Sequence, residues 1–232
     1  MAVTWKQIAY QDDLDSHASQ HGVGSSDTIF PADPGVDKCL MWDNDPGELV
    51  WAVPAGSGGG DVVSIGSATA SDSAALAFTG LAGAYSAFMV VIQDLVPATD
   101  GVNLRGRVSD DNGTSYESTN YHSIIEWQST GDAARANLRY TNNDYLFLSY
   151  QTGNGATEGY SGTFWLYHPA ATTTYKRTVS KGVHDHYTKG VSLNEQVGAW
   201  KGGTGAITAL QFSFHTGNIT SGSIEVYGIV AN

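Results

Sequence analysis

The sequence contains a single cysteine, Cys39, among its 232 residues. A disulfide within the chain is therefore excluded, and so are multi-cysteine zinc sites and the disulfide scaffolds of small secreted domains. Cys39 stands beside Leu40 and Met41, and we interpret it as a buried thiol in a strand rather than as a nucleophile.

Basic residues are also scarce: 11 Lys and Arg stand against 23 Asp and Glu, a formal net charge of -12. Binding to nucleic acid or to an anionic membrane surface requires clustered Lys and Arg, so neither partner is expected. The chain has no apolar run of the roughly 18 residues that a membrane span needs, and we expect no membrane insertion. Its first ten residues lack the pattern of a signal peptide.

Charged residues make up only 15% of the chain, whereas 41% of it is hydrophobic and 11% aromatic. Exposed helices need Glu and Lys on their outer faces, so this balance favours short strands joined by tight turns. No segment of helical length shows a helical period. The length suffices for one β-sandwich and a smaller appendage.

The composition changes near residue 55. Four of the six prolines and three of the six tryptophans lie before that point, and the glycine-rich run 56–60 that follows has the composition of a flexible linker. We therefore predict an irregular N-terminal attachment segment over residues 1–55, a linker over 56–60 and a β-sandwich domain over 61–232.

One β-hairpin is expected in the N-terminal segment. Residues 38–43 and 48–53 have the composition of strands, and the intervening Asn-Asp-Pro-Gly favours a turn because Pro presets φ and Gly tolerates positive φ. An isolated hairpin is marginally stable in water, so this one must pack on something. The predicted attachment or oligomer interface consists of Trp5, Leu40, Trp42, Leu49 and Trp51.

After residue 61, apolar or alternating runs are separated by turn signals, as in a β-sandwich. Residues 102–108 and 121–128 alternate most clearly. Between them, residues 110–113 predict a hairpin turn, because Asn-Gly accepts the left-handed conformations of a type I′ turn. The predicted fold is all-β, an antiparallel β-sandwich of jelly-roll or lectin-like kind.

Several segments resemble sequences of tailed-bacteriophage appendage proteins. Residues 16–27, Ser-His-Ala-Ser-Gln-His-Gly-Val-Gly-Ser-Ser-Asp, are similar to a H-A-S-x-H-x-x-G-G-S-D segment of tail fibres, with Ser25 in place of the second Gly. Residues 32–51 are similar to a segment that ends in W-D-D-S-x-G-x-L-x-W, with Pro46 a departure. Residues 100–113, 162–168 and 222–228 are similar to the β-domain of phage virion proteins.

The resemblance implies a structural protein on the exterior of the virion, a fibre or decoration subunit that attaches through its N-terminal part. It also implies assembly with other virion proteins and with its own copies, as a homotrimer or another oligomer. We expect no enzymatic activity and no cofactor. One alternative is a receptor-binding module that recognises host surface polysaccharide. Another is a glycan depolymerase, which needs two carboxylates across a cleft, and the glutamates are scattered.

Aromatic side chains that lie exposed in loops can stack on sugar rings. Tyr160, Tyr187 and Trp200 fall in predicted loops and are the candidate glycan contacts.

Two histidine pairs are candidate metal ligands. His17 and His21 would share one face of a helix and could ligate a metal together; the alternative is a polar connector whose His side chains form local hydrogen bonds. His184 and His186 would point the same way in an extended chain. They have no evident third ligand, and the alternative is a solvated loop over residues 181–190.

Overall fold

The computed structural model describes residues 62–230 in full and, before them, the backbone of two strands, Cys39–Asp43 and Glu48–Ala52. The chain divides into two compact units, Met1–Gly58 and Gly59–Asn232, and the boundary falls within the glycine run. Trp5, His17 and His21 lie outside the described residues. The interface and metal predictions that name them stay predictions.

In the first unit, β1 (Cys39–Asp43) and β2 (Glu48–Ala52) form an antiparallel hairpin. The register places Trp42 opposite Leu49 and Leu40 opposite Trp51. The predicted hairpin is therefore confirmed, and four positions of the predicted interface are cross-strand neighbours.

The second unit consists of twelve strands and their connections, and no residue from 62 to 230 is helical. That part of the chain accordingly offers no helix long and apolar enough to span a bilayer. The strands are β3 (Val62–Thr69), β4 (Leu76–Phe78), β5 (Tyr85–Pro97), β6 (Leu104–Ser109), β7 (Tyr121–Ser129), β8 (Ala136–Asn143), β9 (Leu146–Phe147), β10 (Tyr160–Tyr167), β11 (Lys176–His186), β12 (Gly190–Trp200), β13 (Ala209–Phe214) and β14 (Ile219–Val230).

The twelve strands form two antiparallel sheets. The larger has the strand order β3-β14-β5-β10-β11-β12-β7-β8, and the smaller has the order β4-β13-β6-β9. Side chains of both sheets meet in one core, where Phe164 of β10 packs edge-on against Phe212 of β13 with ring centroids 5.7 Å apart. Phe212 also contacts Phe78 of β4, at 6.4 Å. The predicted antiparallel β-sandwich is confirmed.

Alternation decides which residues of each strand fill this core. In β5, Phe88, Val90 and Ile92 are buried, whereas Met89 and Val91 between them are partly exposed on the opposite side. Every outward position of the large sheet is therefore fixed by the inward packing of its neighbours.

The turn after β6 has the predicted local conformation but joins different partners. Asn112 and Gly113 have φ angles of 61° and 81°. The carboxylate of Asp111 accepts hydrogen bonds from Ser109 Oγ at 2.6 Å and from the Ser115 amide at 3.0 Å, and such bonds lower the pKa of Asp111 to about 2. However, β6 pairs with β13 and β9, whereas β7 pairs with β12 and β8. The prediction of a hairpin here is wrong, because local turn chemistry does not choose strand partners.

Two glycines make room for a buried tyrosine. Gly162 of β10 lies opposite Gly182 of β11, and the fully buried Tyr160 lies over the pair. A Cβ atom at Gly162 would lie 2.9 Å from the Tyr160 hydroxyl oxygen, and one at Gly182 would lie closer still. A methyl group at Gly182 requires the ring to move, and one at Gly162 would also lie 2.7 Å from the Gly182 Cα atom, so there the backbone would have to move as well.

We expect Gly182→Ala to lower the free energy of unfolding by about 1–3 kcal/mol, because the added methyl overpacks a filled site. Gly106→Ala is the matched control: Gly106 is also buried in a strand, but a Cβ there would meet its nearest atom, in Phe212, at an ordinary 3.5 Å. Urea unfolding followed by tryptophan fluorescence measures both variants. An equal loss in the two, or none in either, would contradict this account.

Candidate functional site

The outer face is the surface of the eight-stranded sheet that points away from the four-stranded sheet. Residues directly opposite each other in antiparallel strands share a face, so the register identifies its members. One line of opposite residues crosses the sheet from β14 to β7 and is apolar throughout. These six residues, which we call the apolar row, are Tyr227, Met89, Trp165, Val179, Val197 and Ile124.

The apolar row is a surface feature rather than part of the core. Val197 is 53% exposed, Ile124 47% and Val179 38%. With strands roughly 4.8 Å apart, the row extends for about 24 Å across six strands. Contiguous apolar surface of this kind marks a place where a protein contacts something else.

Beside the apolar row runs a polar row that contains two carboxylates. Glu126 of β7 lies opposite Glu195 of β12, which lies opposite Lys181 of β11. Glu126 is 2.6 Å from Arg135, and Glu195 is 2.6 Å from Lys181. The hydrogen bond from Lys181 and its positive charge lower the pKa of Glu195. A glycosidase acid needs a raised pKa, and Glu195 does not meet that requirement.

At the β8 end of the apolar row the outer face forms a groove of about 470 Å³. Its floor is apolar, because Ile124, Val197 and Ala199 project from β7 and β12. Two arginines lie along it, Arg139 of β8 opposite Ile124, and Arg177 of β11 opposite Ala199. The remaining lining residues are His122, Ser123, Tyr140, Thr141 and Gly198.

The inner face of the same strands reverses the usual pattern. Most positions of β11 and β12 that point inward carry buried polar side chains, with Trp200 an apolar exception at the end of β12. Their outward neighbours include Val179, Val183, Val191 and Val197. The buried polar residues are Lys176, Thr178, Ser180, His184, His186, Ser192, Asn194 and Gln196.

Two members of this polar layer hold the backbone of one residue. The Asn194 side-chain oxygen accepts a hydrogen bond from the Tyr150 amide at 3.1 Å, and His184 Nε2 lies 2.8 Å from the Tyr150 carbonyl oxygen. The Asn194 amide nitrogen lies 2.9 Å from His184 Nδ1. This arrangement requires the neutral ring, protonated at Nε2 and accepting at Nδ1. Burial, aided by the neighbouring His186, lowers the pKa of His184 to about 4 although the Tyr150 carbonyl opposes the shift.

The predicted loop over residues 181–190 is wrong, because β11 continues through it to His186. The expectation that His184 and His186 point the same way is confirmed: both side chains are buried, and Asp185 lies between them. His186 Nε2 lies 3.0 Å from the side-chain oxygen of Gln151. Among the residues from 62 to 230, no three His, Cys, Asp or Glu side chains are grouped so as to hold a metal ion.

The three candidate glycan contacts have different surroundings. Tyr187 is 42% exposed and stacks on His186, with ring centroids 4.8 Å apart. The expectation that Tyr160 and Trp200 lie exposed in loops is wrong, since they are strand residues with 0% and 1% exposure. Both point inward, where a large aromatic side chain fills core volume, so neither can stack on a sugar.

The groove and the apolar row were not foreseen from the sequence. The valines of β11 and β12 do alternate with polar residues, which is a strand signal. The pattern alone, however, places the valines inside and the polar residues outside, the reverse of their positions in the sheet.

Wild-type stability should decrease as the pH falls from 6.5 to 4. In that window the unfolded chain binds a proton at His184 that the folded chain does not, so the stabilisation is complete above pH 6.5 and declines by about 3 kcal/mol on the way to pH 4. His184→Gln should be less stable at pH 7 and should depend less steeply on pH. Urea unfolding at several pH values measures the difference between the two proteins, and parallel curves would refute the role of His184.

Searches against protein-family models, curated proteins and solved structures return no match to this chain.

Proposed function

We propose that the chain is a structural, non-catalytic subunit of a tailed-bacteriophage particle, of fibre or decoration type, that lies on the virion exterior. Residues 1–55 attach it to other virion proteins, and the β-sandwich projects outward. The observation that carries the proposal is the apolar row. The core of the sandwich is filled without these six residues, so their place on the outer face indicates contact with another molecule.

The half of the apolar row on β10, β5 and β14 suits contact with another copy of the chain. Trp165 stacks on Tyr167 with ring centroids 6.3 Å apart and an interplanar angle of 13°. Met89 lies between Trp165 and Tyr227 in the register. Aromatic residues and methionine are enriched at protein interfaces, and Lys and Glu are depleted there. We assign this half of the row to self-association, as a homotrimer.

The leading segment supplies the attachment. In the β1–β2 hairpin, Trp42 lies opposite Leu49, and Leu40 lies opposite Trp51. A two-stranded hairpin is not stable alone in water, so packing of these residues on a neighbouring protein would stabilise both partners.

Met89→Glu should convert the oligomer into monomers without unfolding the sandwich. Met89 points away from the core, and a carboxylate between two aromatic side chains would have to be desolvated in the contact. Ala156→Glu, which adds the same charge in an exposed loop, is the control. Sedimentation velocity gives the oligomeric state and circular dichroism checks the fold. If Met89→Glu stays as oligomeric as the wild type, the self-association surface lies elsewhere.

Trp42→Ala should reduce incorporation of the protein into phage particles, because it removes an anchor of the attachment segment. Tyr175→Ala is the control, since Tyr175 is 48% exposed on the sandwich. Trp200 would be unsuitable, because its removal would damage the core. Quantitative immunoblotting of purified particles measures incorporation. Equal amounts of the two variants on particles would argue against attachment through the hairpin.

A further inference from the structure

Most of the positively charged side chains among the described residues have partners within the chain. Of the 11 Lys and Arg, all but Lys6 and Lys38 lie in residues 62–230, which leaves nine. Four of the nine form ion pairs with carboxylates: Arg107, Arg135, Lys181 and Lys189. Two more, Arg105 and Lys176, donate to protein oxygens. The side chains of the remaining three, Arg139, Arg177 and Lys201, have no hydrogen-bond or ion-pair partner among residues 62–230. Arg139 and Arg177 are the two that line the groove.

These two arginines lie in the same groove of an acidic protein. Both are exposed, and the lining includes neither Asp nor Glu. The other polar side chains along the groove, His122 and Thr141 among them, can donate hydrogen bonds. At one end of the floor Glu126 and Glu195 adjoin Ile124 and Val197, and both carboxylates are paired with cations. An apolar floor with free donors around it is complementary to a ligand that has an apolar surface, hydroxyl groups and a negative charge.

We propose that the groove binds a carboxylate-bearing saccharide. The C–H face of a sugar ring would lie on Ile124 and Val197, and carboxylates of the saccharide would accept hydrogen bonds from Arg139 on one side of the floor and from Arg177 on the other. The planar guanidinium group matches the geometry of a carboxylate and forms two parallel hydrogen bonds with it. This binding site is separate from the proposed structural role. It rests on that role in one respect: the groove must stay uncovered when the protein is assembled on the particle.

A saccharide fits the groove better than an acidic peptide does. An extended peptide is recognised by adding a strand to a free sheet edge, where its backbone groups find partners. The floor of this groove comes from β7 and β12, which each have a neighbouring strand on both sides, so their backbone groups are already used. A peptide added to the free edge, on β8, would lie in line with the sheet and not over this floor. A sugar needs only the side chains that project from them.

The overall charge of -12 limits the ligand to a short acidic stretch rather than a dense polyanion. Repulsion from the rest of the surface is screened beyond about 8–10 Å at physiological salt, so a carboxylate bound by either arginine is governed by the local charge. Nucleic acid, with a phosphate at every step, would need many more cations than this groove has.

The test is calorimetric titration of the full chain with oligogalacturonate, which carries one carboxylate per sugar ring. The matched probe is the same oligosaccharide with its carboxylates esterified to methyl groups, and poly-L-glutamate tests an acidic peptide. We expect oligogalacturonate to bind and both other probes to bind roughly tenfold more weakly or not at all. No measurable binding of oligogalacturonate, or equal binding of either other probe, would overturn the proposal.

Variants locate the site. The double variant Arg139→Gln/Arg177→Gln should weaken binding roughly tenfold or more, because charge-assisted hydrogen bonds are lost. Lys181→Gln removes one positive charge from the same face, but Lys181 is already paired with Glu195, so the change should stay within about twofold. Equal effects of the two would place binding outside the groove.

Sedimentation velocity of the double variant is run in parallel: a shift toward monomer would mean that a second copy covers the groove, and would overturn the proposal. Loss of saccharide binding with normal particle incorporation leaves the structural role intact, so the two proposals fail separately.

Discussion

The alternation of side chains in the eight-stranded sheet, held in one register by its cross-strand hydrogen bonds, determines both the core and the candidate site. Phe164 and Val90 must point inward to meet Phe212 of the opposite sheet. Because successive side chains of a strand point to opposite faces, their neighbours Trp165 and Met89 must lie on the outer face. Because the side-chain period of a strand is two, a slip of one residue in any strand would exchange the two sets. The outer face is therefore as well specified as the core, although nothing in the sandwich covers it.

The core is not uniform along the large sheet. Over β5, β10 and β14 the inner face packs on the four-stranded sheet through apolar side chains. Over β11 and β12 it is polar, and there His184 and Asn194 hold the backbone of Tyr150 through directional hydrogen bonds. Apolar packing would tolerate small shifts of this loop, whereas hydrogen bonds to a backbone amide and carbonyl define one position. One end of the sandwich is thus held by packing and the other by polar contacts.

This division explains which parts of the fold could be predicted from the sequence. Strands with apolar inward positions, such as β5 and β7, show a clear pattern, and the hairpin at residues 38–53 follows from its turn chemistry. Strand β12 was missed and β11 was ended early, because Ser, Asn, Gln and His at alternate positions resemble a loop. The presence of Arg139 and Arg177 in one groove depends on strand order across the sheet. Strand order is set by long-range packing and leaves no local signal.

The reversed pattern of β11 and β12 is a poor choice for the stability of an isolated sandwich. Burying a valine side chain contributes roughly 1.5–3 kcal/mol, a gain that Val179 and Val197 largely forgo while they stay on the surface. On the inside, Ser129 Oγ and Gln196 Oε1 are buried with no hydrogen-bond partner among the described residues, and each such group costs about 1–3 kcal/mol. A ligand or subunit that covers the outer face would bury these valine side chains and so gain that free energy, without disturbing the polar layer beneath. The surface that the fold leaves open is consequently the one where contact adds the most free energy.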